Sequence, residues 1–473
     1  MNLSLRDIAL CLTGADMPGP EGDRLIVAVR TDSREVAPGD LFFCLKGERF
    51  DAHSFAAQVA AAGAAAIVAQ RELPEAACPV FVVADTQLAL GRLARFWRDR
   101  FGRAAGTRVV AVTGTAGKTT LKELIAQTLA AGGGWKVAKN HKNLNNQVGL
   151  PLSILAADGS ERAWVMEAGI SKPHDMAELG VIVAPDLGVV LNIGPAHLEG
   201  LGDLSGVARA KSELLAHLAP GGVALSSMDY PELWAAARAV RPGVIGFSAR
   251  DAKAPYFARF VAALPGGRGL YEIALRGETF RAELPACGAH FAENAAAAAA
   301  ACAELGLDAA RIAAGLKTAV LPDQRFRCCE AGDWRVVDDT YNANPLSMRR
   351  SIEAARLMAG RGRLVLVLGD MKELGRDAAE AHAGIGALLP GIAPDAVFFA
   401  GEHAGDVARG AGGAAAVTAV SDPAEVVAAL AALPKGELPT TVLVKGSRSC
   451  RMERYAQALL EGLCATSTEG GRA

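Results

Sequence analysis

Val109-Val110-Ala111-Val112-Thr113-Gly114-Thr115-Ala116-Gly117-Lys118-Thr119-Thr120-Leu121 is the stretch on which the reading of this chain turns. A β-branched run empties into two glycines, a lysine and two threonines, and a helical pattern starts at Leu121. Glycines let backbone N–H groups turn inward on an anion, and the helix behind them adds the positive end of its dipole. The lysine reaches outer phosphates, and a threonine hydroxyl can bind Mg²⁺. Gly114, Thr115, Gly117, Lys118, Thr119 and Thr120 are therefore read as nucleotide-binding, with Lys118 also catalytic and Thr119 also a metal ligand. A glycine-rich turn that holds nothing is the competing reading, and Gly-Lys-Thr at this position argues against it. Valine stands at position 112, where the general P-loop pattern has its first glycine, so the motif is a narrower variant.

Bulk composition bounds the rest. A chain of 473 residues exceeds one ordinary core and suggests three domains of roughly 100–200 residues. Apolar residues make up 51% and charged residues 21%, so a large core can form and disorder is not expected. The net charge is −2 with both signs interspersed, and no basic or aromatic-basic stripe suggests nucleic acid. Nine scattered cysteines without a Cys-x-x-Cys pair fit a reducing cytoplasm. Cys328 and Cys329 read as buried apolar side chains. Met1 to Leu12 is too short and too acidic for a signal peptide and reads as an amphipathic helix. No run of about 18 apolar residues exists to span a membrane, and the alanines 295–301 read as a tightly packed helix.

Strand and helix patterns alternate along the whole chain. Residues 1–105 carry short strands at Leu25–Val29, Leu41–Leu45, Ala65–Ala69 and Val80–Ala84. Residues 106–321 repeat the rhythm at Val109–Val112, Ala163–Met166, Leu187–Leu191 and Val223–Leu225, then add a hairpin-like insert over 256–284. Residues 322–473 begin a third series at Trp334–Val337, Leu364–Leu368, Ala396–Phe399 and Thr441–Val444. The expected class is α/β: a smaller α/β N-terminal domain, a central P-loop-type, mostly parallel sheet, and a doubly wound, Rossmann-like C-terminal domain. Ligand sites in such sheets lie at the carboxyl ends of strands.

The polar motifs fall at those ends. Glu167 closes a strand beside the P-loop strand, where a carboxylate can hold Mg²⁺; a surface glutamate capping a loop is the alternative. His197 follows Asn192-Ile193-Gly194-Pro195-Ala196, and a metal or phosphate role competes with a structural one. Lys211, early in a helix, would by itself be only a solvated charge. Asn140 to Pro151 clusters amides before Gly149-Leu150-Pro151, a density that suits a polar ligand such as a sugar or peptide, though such loops can be mere turns. In the third domain Asp338–Pro345, Gly369–Gly375 and Lys445–Arg448 each follow a strand and form one rim of a cleft.

Together these residues resemble the Mur ligase family, ATP-dependent amide-forming enzymes of peptidoglycan synthesis. Thr-Gly-Thr-x-Gly-Lys-Thr-Thr is that family's nucleotide loop. Asp338-Asp339-Thr340-Tyr341-Asn342-Ala343-Asn344-Pro345, Leu368-Gly369-Asp370-Met371-Lys372-Glu373-Leu374-Gly375 and Val444-Lys445-Gly446-Ser447-Arg448-Ser449 resemble its dipeptide-adding branch. So do Thr31-Asp32-Ser33-Arg34, Pro38-Gly39-Asp40-Leu41-Phe42 and Asp51-Ala52-His53. The resemblance implies a cytoplasmic monomer using ATP and Mg²⁺ to join D-alanyl-D-alanine to UDP-N-acetylmuramoyl-tripeptide. It implies Thr119, Glu167, His197 and a carbamylated Lys211 as metal ligands, with His197 and Lys211 also catalytic. Asn294 would contact adenine, Arg325 phosphate and Asp339 ribose. Ser33, Asn145, Asn146, Asn342 and Lys445 would bind the substrates. Three positions depart from the family pattern: Glu167-Ala168-Gly169-Ile170-Ser171 for Glu-Met-Gly-Ala-Asn, Ala52 for glycine, and Phe291 for asparagine. The expected chemistry makes an acyl phosphate, attacked by an amine, with a hinge near residues 321–324. The alternatives are the sister ligase adding the third amino acid, a folylpolyglutamate synthetase-like ligase, and a P-loop nucleotide switch.

Overall fold

The computed structural model describes residues 3–47, 50–102, 106–141, 143–195, 198–433 and 438–469. Three sheets follow one another along the chain. The first is parallel and four-stranded, in the order β1 (Val29–Arg30), β2 (Leu41–Phe43), β3 (Ala66–Ala69), β4 (Val80–Val82). The second comprises β5 (Arg108–Thr113), β6 (Val137–Lys139), β7 (Ala163–Glu167), β8 (Leu187–Val190), β9 (Val223–Ser227), β10 (Ile245–Ser248), β11 (Tyr256–Leu264), β12 (Arg268–Leu275) and β13 (Glu278–Leu284). Its order is β13-β12-β11-β10-β9-β8-β5-β7-β6. The third comprises β14 (Arg327–Ala331), β15 (Trp334–Asp339), β16 (Leu364–Gly369), β17 (Ala396–Ala400), β18 (Val417–Ala419) and β19 (Thr440–Lys445), in the order β14-β15-β19-β16-β17-β18.

The sheets are mostly parallel, as strand–helix alternation requires. The insert over 256–284 becomes the antiparallel extension β11-β12-β13 of the central sheet. Four strands had no clear signature. β6 and β18 have three residues each, β10 reads Ile-Gly-Phe-Ser, and β14 mixes Arg327 and Glu330 with two cysteines. Three of these four lie at a sheet edge, where a long apolar run is not required. The first strand forms at Val29–Arg30 and not over Leu25–Val29, because Leu25 and Val27 stay exposed. Cys328 and Cys329 are half-buried, unlike the buried pair expected, because β14 is an edge strand of its sheet and is covered on one side only.

By packing, the chain forms two compact units, one of residues 1–113, 134–189 and 213–224, the other of residues 114–133, 190–212 and 225–473. In the first, the helix Leu5–Thr13 opens with a reciprocal cap between Ser4 and Asp7 and ends at Gly14, whose φ of 72° is left-handed. Arg98 is wholly buried, and its Nη2 donates to Asp186 Oδ2 at 2.8 Å and to the Ala184 carbonyl at 3.2 Å. Asp186 Oδ2 also accepts the Val109 N–H at 2.8 Å, tying this ion pair to β5. In the second unit, every residue from Phe291 to Cys302 of the helix Phe291–Glu304 is buried. Alanine's small side chain allows that close approach on all faces. No helix among the described residues is long and apolar enough to cross a membrane.

Asp186→Ala leaves a buried guanidinium without this counter-charge, and chemical denaturation should show a loss of about 3–5 kcal/mol. A loss under about 1 kcal/mol would mean that the pair has little structural weight.

Candidate active site

The cradle lies between β5 and the helix Lys118–Gly133. Gly117 has φ +77°, and a Cβ there would also lie 3.0 Å from Asn294 Oδ1. Glycine is therefore required for both conformation and space. Asn294 Nδ2 donates to the Gly117 carbonyl at 3.0 Å, bracing the loop from the alanine-rich helix. Asn192, just past β8, accepts the N–H groups of Thr115 and Ala116 on Oδ1 at 3.0 and 2.9 Å. Its Nδ2 donates to the Ala116 carbonyl at 3.0 Å. The next N–H groups belong to the first helical turn, where a helix offers donors to an anion.

Two lysines converge on one oxygen of this loop. Lys118 Nζ donates to the Gly114 carbonyl at 2.8 Å, and Lys211 Nζ donates to the same carbonyl at 3.1 Å. Lys211 is buried in the last turn of the helix Leu204–Ser212, so it is neither early in its helix nor a solvated charge. Arg325 reaches the cradle from the third-domain side, its Nη2 3.2 Å from Thr119 Oγ1. The guanidinium lies 3.8 Å above the ring of Tyr341, which holds it flat by a cation–π contact.

Glu167 ends β7 in register with Val112, the residue that leads through Thr113 into the cradle. It is buried, its Oε1 accepts from Asn145 Nδ2 at 2.7 Å, and its backbone N–H donates to Asn140 Oδ1 at 2.6 Å. A Cβ on Gly169 would lie 2.8 Å from the Asn145 side chain, so this departure-bearing segment keeps the glycine that Asn145 needs. Asn146 Oδ1 accepts the N–H groups of Val148 and Gly149 at 3.3 and 2.8 Å and starts the helix Gly149–Leu155. Much of the amide density in this loop thus holds Glu167 and the backbone. His197 lies outside the described residues. Ser33 opens the short 3₁₀ turn Ser33–Glu35 and is half-buried. Ala52 sits in the 3₁₀ turn Ala52–Phe55 without a positive φ, so replacing glycine there costs no backbone strain. The neighbouring His53 Nε2 accepts the Gln70 N–H at 2.9 Å while Nδ1 lies 2.5 Å from Asp51 Oδ1.

The third sheet brings its three polar loops to one edge. Asp339 pairs with Lys445, and Lys445 pairs with Leu368, so β15, β19 and β16 end side by side. Lys445 Nζ donates to Asp339 Oδ2 at 2.6 Å and to the Asn342 carbonyl at 3.0 Å. Burial pushes the Lys445 ammonium below its ordinary range, while Asp339 opposes that shift. Asp339 also accepts from the Phe326 N–H at 3.1 Å and Ser351 Oγ at 2.6 Å. Asn342 Oδ1 accepts the Ala343 N–H at 2.9 Å. Ser447 N–H donates to the Asp370 carbonyl at 2.9 Å, and Lys372 N–H donates to Ser447 Oγ at 2.8 Å.

Family models match residues 112–302 as the Mur ligase middle domain, 324–448 as the Mur ligase glutamate ligase domain, and 25–98 as the Mur ligase family catalytic domain. The UDP-N-acetylmuramoyl-tripeptide–D-alanyl-D-alanine ligase of Escherichia coli is 36% identical over 450 residues, covering 93% of this chain and 96% of its own length. The chain belongs to the Mur ligase family. A crystal structure of MurF from Acinetobacter baumannii superposes with a TM-score of 0.85 at 31% identity, covering 97% of this chain and 98% of the other. The MurF ligase of Thermotoga maritima in complex with ADP gives 0.82 at 30% identity, covering 94% and 99%. This Mur ligase is accordingly an enzyme with the family's three-domain α/β architecture.

Several residues of this Mur ligase site gave little sign in the sequence. Asn192 stood in view only as the first residue of the run that leads to His197. Glu293 sits ahead of the alanine run of its helix and read as an ordinary first-turn acid. Arg350 looked like any charge on the helix Pro345–Ala359. Phe291, in place of the family's asparagine, stacks edge-on against Phe326 at 5.6 Å and near His290 at 4.0 Å. Phe291 thereby makes an aromatic contact onto the linker to the third domain.

Gly117→Ala should lower kcat/KM for ATP about 10²-fold, the scale expected when catalytic groups are misplaced by about 1 Å. Steady-state phosphate release checks this, with a melting curve to show that the variant is folded.

Proposed function

We propose that this chain joins D-alanyl-D-alanine to UDP-N-acetylmuramoyl-tripeptide at the expense of ATP, in peptidoglycan synthesis. The observation that carries the reading is the convergence of Lys118, Lys211 and Arg325 on a P-loop that a second, dinucleotide-fold domain also reaches. A nucleotide switch has no need of that third domain. The relatives named for this reaction support the choice of substrates.

The chemistry follows from the inertness of a carboxylate toward amines. The tripeptide carboxylate attacks the γ-phosphorus of ATP, the bond from that phosphorus to the β-phosphate oxygen breaks, and ADP leaves behind an acyl phosphate. Lys118, whose Nζ donates to the Gly114 and Thr115 carbonyls of its own loop at 2.8 and 3.4 Å, turns to the phosphate oxygens and neutralises gathering charge. Arg325 adds a planar, always-charged donor beside Thr119. The amine of the dipeptide then attacks the acyl carbon, a tetrahedral intermediate forms, and phosphate leaves. Closure of the third domain keeps water from the acyl phosphate. The linker into that domain carries Gln324 and Phe326 at φ +61° and +57°, conformations that non-glycine residues rarely adopt, and it is the proposed hinge.

The hydroxyl of Thr119 and the carboxylate of Glu167 are hard oxygen donors of the kind Mg²⁺ takes. Thr119, Glu167, His197 and Lys211 would hold the ion, which would offset phosphate charge. Lys211 can supply an anionic oxygen only as a carbamate, and its amine must be neutral to add CO₂. Asn294 lies at the adenine side. Asp339 takes the ribose through its one remaining lone-pair direction, since a carboxylate offers about four. Asn145 and Asn146 flank the growing peptide, Ser33 the uridine nucleotide, and Asn342 and the third N–H of Lys445 the dipeptide. The division is 1–105 for the precursor, 106–321 for ATP, and 322–473 for the dipeptide. The enzyme acts as a cytoplasmic monomer.

Phosphate release should require ATP, UDP-N-acetylmuramoyl-tripeptide and D-alanyl-D-alanine together, and a chelator should abolish it until Mg²⁺ is returned. Release with the dipeptide precursor and a diamino acid, or with folate and glutamate, would favour a sister enzyme. Release indifferent to every carboxylate and amine would favour a switch. With ¹³C-bicarbonate, wild type should show a carbamate carbon signal that Lys211→Arg lacks, and the variant should lose at least about 10² in kcat. An identical spectrum for both proteins would remove the carbamate from the mechanism.

A further inference from the structure

Behind the cradle lies a buried polar cluster that the mechanism above does not use. Its centre is Glu293, 3% exposed, on the helix Phe291–Glu304. Its Oε2 accepts from Asn192 Nδ2 at 2.9 Å, from Arg350 Nη1 at 3.1 Å and from the Tyr230 hydroxyl at 3.5 Å. Its Oε1 accepts from Ser227 Oγ at 3.3 Å. Arg350 belongs to the third-domain helix Pro345–Ala359 and also donates to the Tyr230 hydroxyl. The same helix meets the central domain twice more. A Cβ on Gly194 would lie 2.9 Å from Leu346, and one on Gly288 would lie 2.9 Å from Ala354.

We propose that Glu293 and Arg350 form a latch that couples docking of this third-domain helix to the shape of the phosphate cradle. Both are positioning residues, acting through Asn192. The inference rests on the reading that the third domain completes the ATP site.

The coupling is a matter of which way one amide faces. An ionised carboxylate only accepts hydrogen bonds, so Asn192 must turn its NH₂ toward Glu293. Its oxygen then faces the N–H groups of Thr115 and Ala116, the first two residues of the loop after Gly114. The flipped amide would set oxygen against carboxylate and NH₂ against two N–H donors. A negative charge at position 293 therefore selects the orientation that shapes the cradle. That charge depends on Arg350. Burial pushes the Glu293 carboxyl upward, and the Arg350 guanidinium opposes it. When the helix withdraws, a buried carboxylate loses its counter-charge and is driven to take up a proton. A protonated Glu293 can donate, and it no longer dictates how Asn192 faces. Docking of the third domain and the nucleotide-ready loop thus favour each other.

The test uses the full chain and ADP as the probe, with calorimetric stoichiometry counting the folded fraction. Glu293→Gln, which keeps the shape, and Arg350→Met should each weaken ADP binding and lower kcat/KM for ATP by about tenfold or more, since each strands half of a buried pair. The double variant should be no worse than the poorer single one, and Arg350→Lys should recover most of the loss. Single variants within twofold of wild type, effects that multiply in the double variant, or Arg350→Lys no better than Arg350→Met would each overturn the latch. A wild type that binds ADP but releases no phosphate with the tripeptide precursor and dipeptide would overturn the substrate reading instead, and the ADP affinities would still decide the latch.

Discussion

The hydrogen bonds of one side-chain amide, Asn192, to the backbone of Thr115 and Ala116 set the constraint on which this site depends. A phosphate cradle is made of backbone groups, and backbone groups have no rotamers to adjust. Their direction is inherited from whatever holds the loop. Asn192 holds its beginning, Asn294 holds the carbonyl of Gly117, and Gly117 supplies the left-handed turn between them. Lys118 and Lys211 arrive on the same frame, both on the Gly114 carbonyl.

The third domain is organised by a different device. In its sheet the last strand, β19, is inserted between β15 and β16. That crossover sets Asp339, Lys445 and Gly369 at one edge although the first two are far apart in sequence. A parallel sheet points all its strand ends one way, so polar loops gather there and the apolar strands remain behind them. The buried Lys445–Asp339 pair then fixes the loop that carries Tyr341, and Tyr341 orients Arg325 toward Thr119. A charge in one domain thereby comes to a hydroxyl in another through a chain of short contacts.

Much of this was legible beforehand because strong local patterns carry it. The apolar strands of β5, β7, β8, β16 and β19 and the Gly-x-x-Gly-Lys-Thr-Thr loop state their structure within a few residues. Short strands such as β6 and β18 were not legible, since edge positions place few demands on side chains. Asn145 and Asn146 stood out in the sequence for the density of amides around them. What they hold was not visible: Asn145 binds Glu167 and Asn146 starts a helix. Lys211 offered no sign of burial, because the amphipathic pattern of one helix does not say which groups from other segments cover it.

By itself the sequence determined the α/β class, the phosphate cradle and the family, because each depends on contiguous residues with fixed chemistry. The tertiary structure alone decided which distant groups meet. It put Glu293 between Asn192 and Arg350, and Lys211 beside Lys118, pairings that join residues tens to hundreds of positions apart. Hydrogen bonding and charge compensation act through space over a few ångströms, and sequence order carries no measure of that distance.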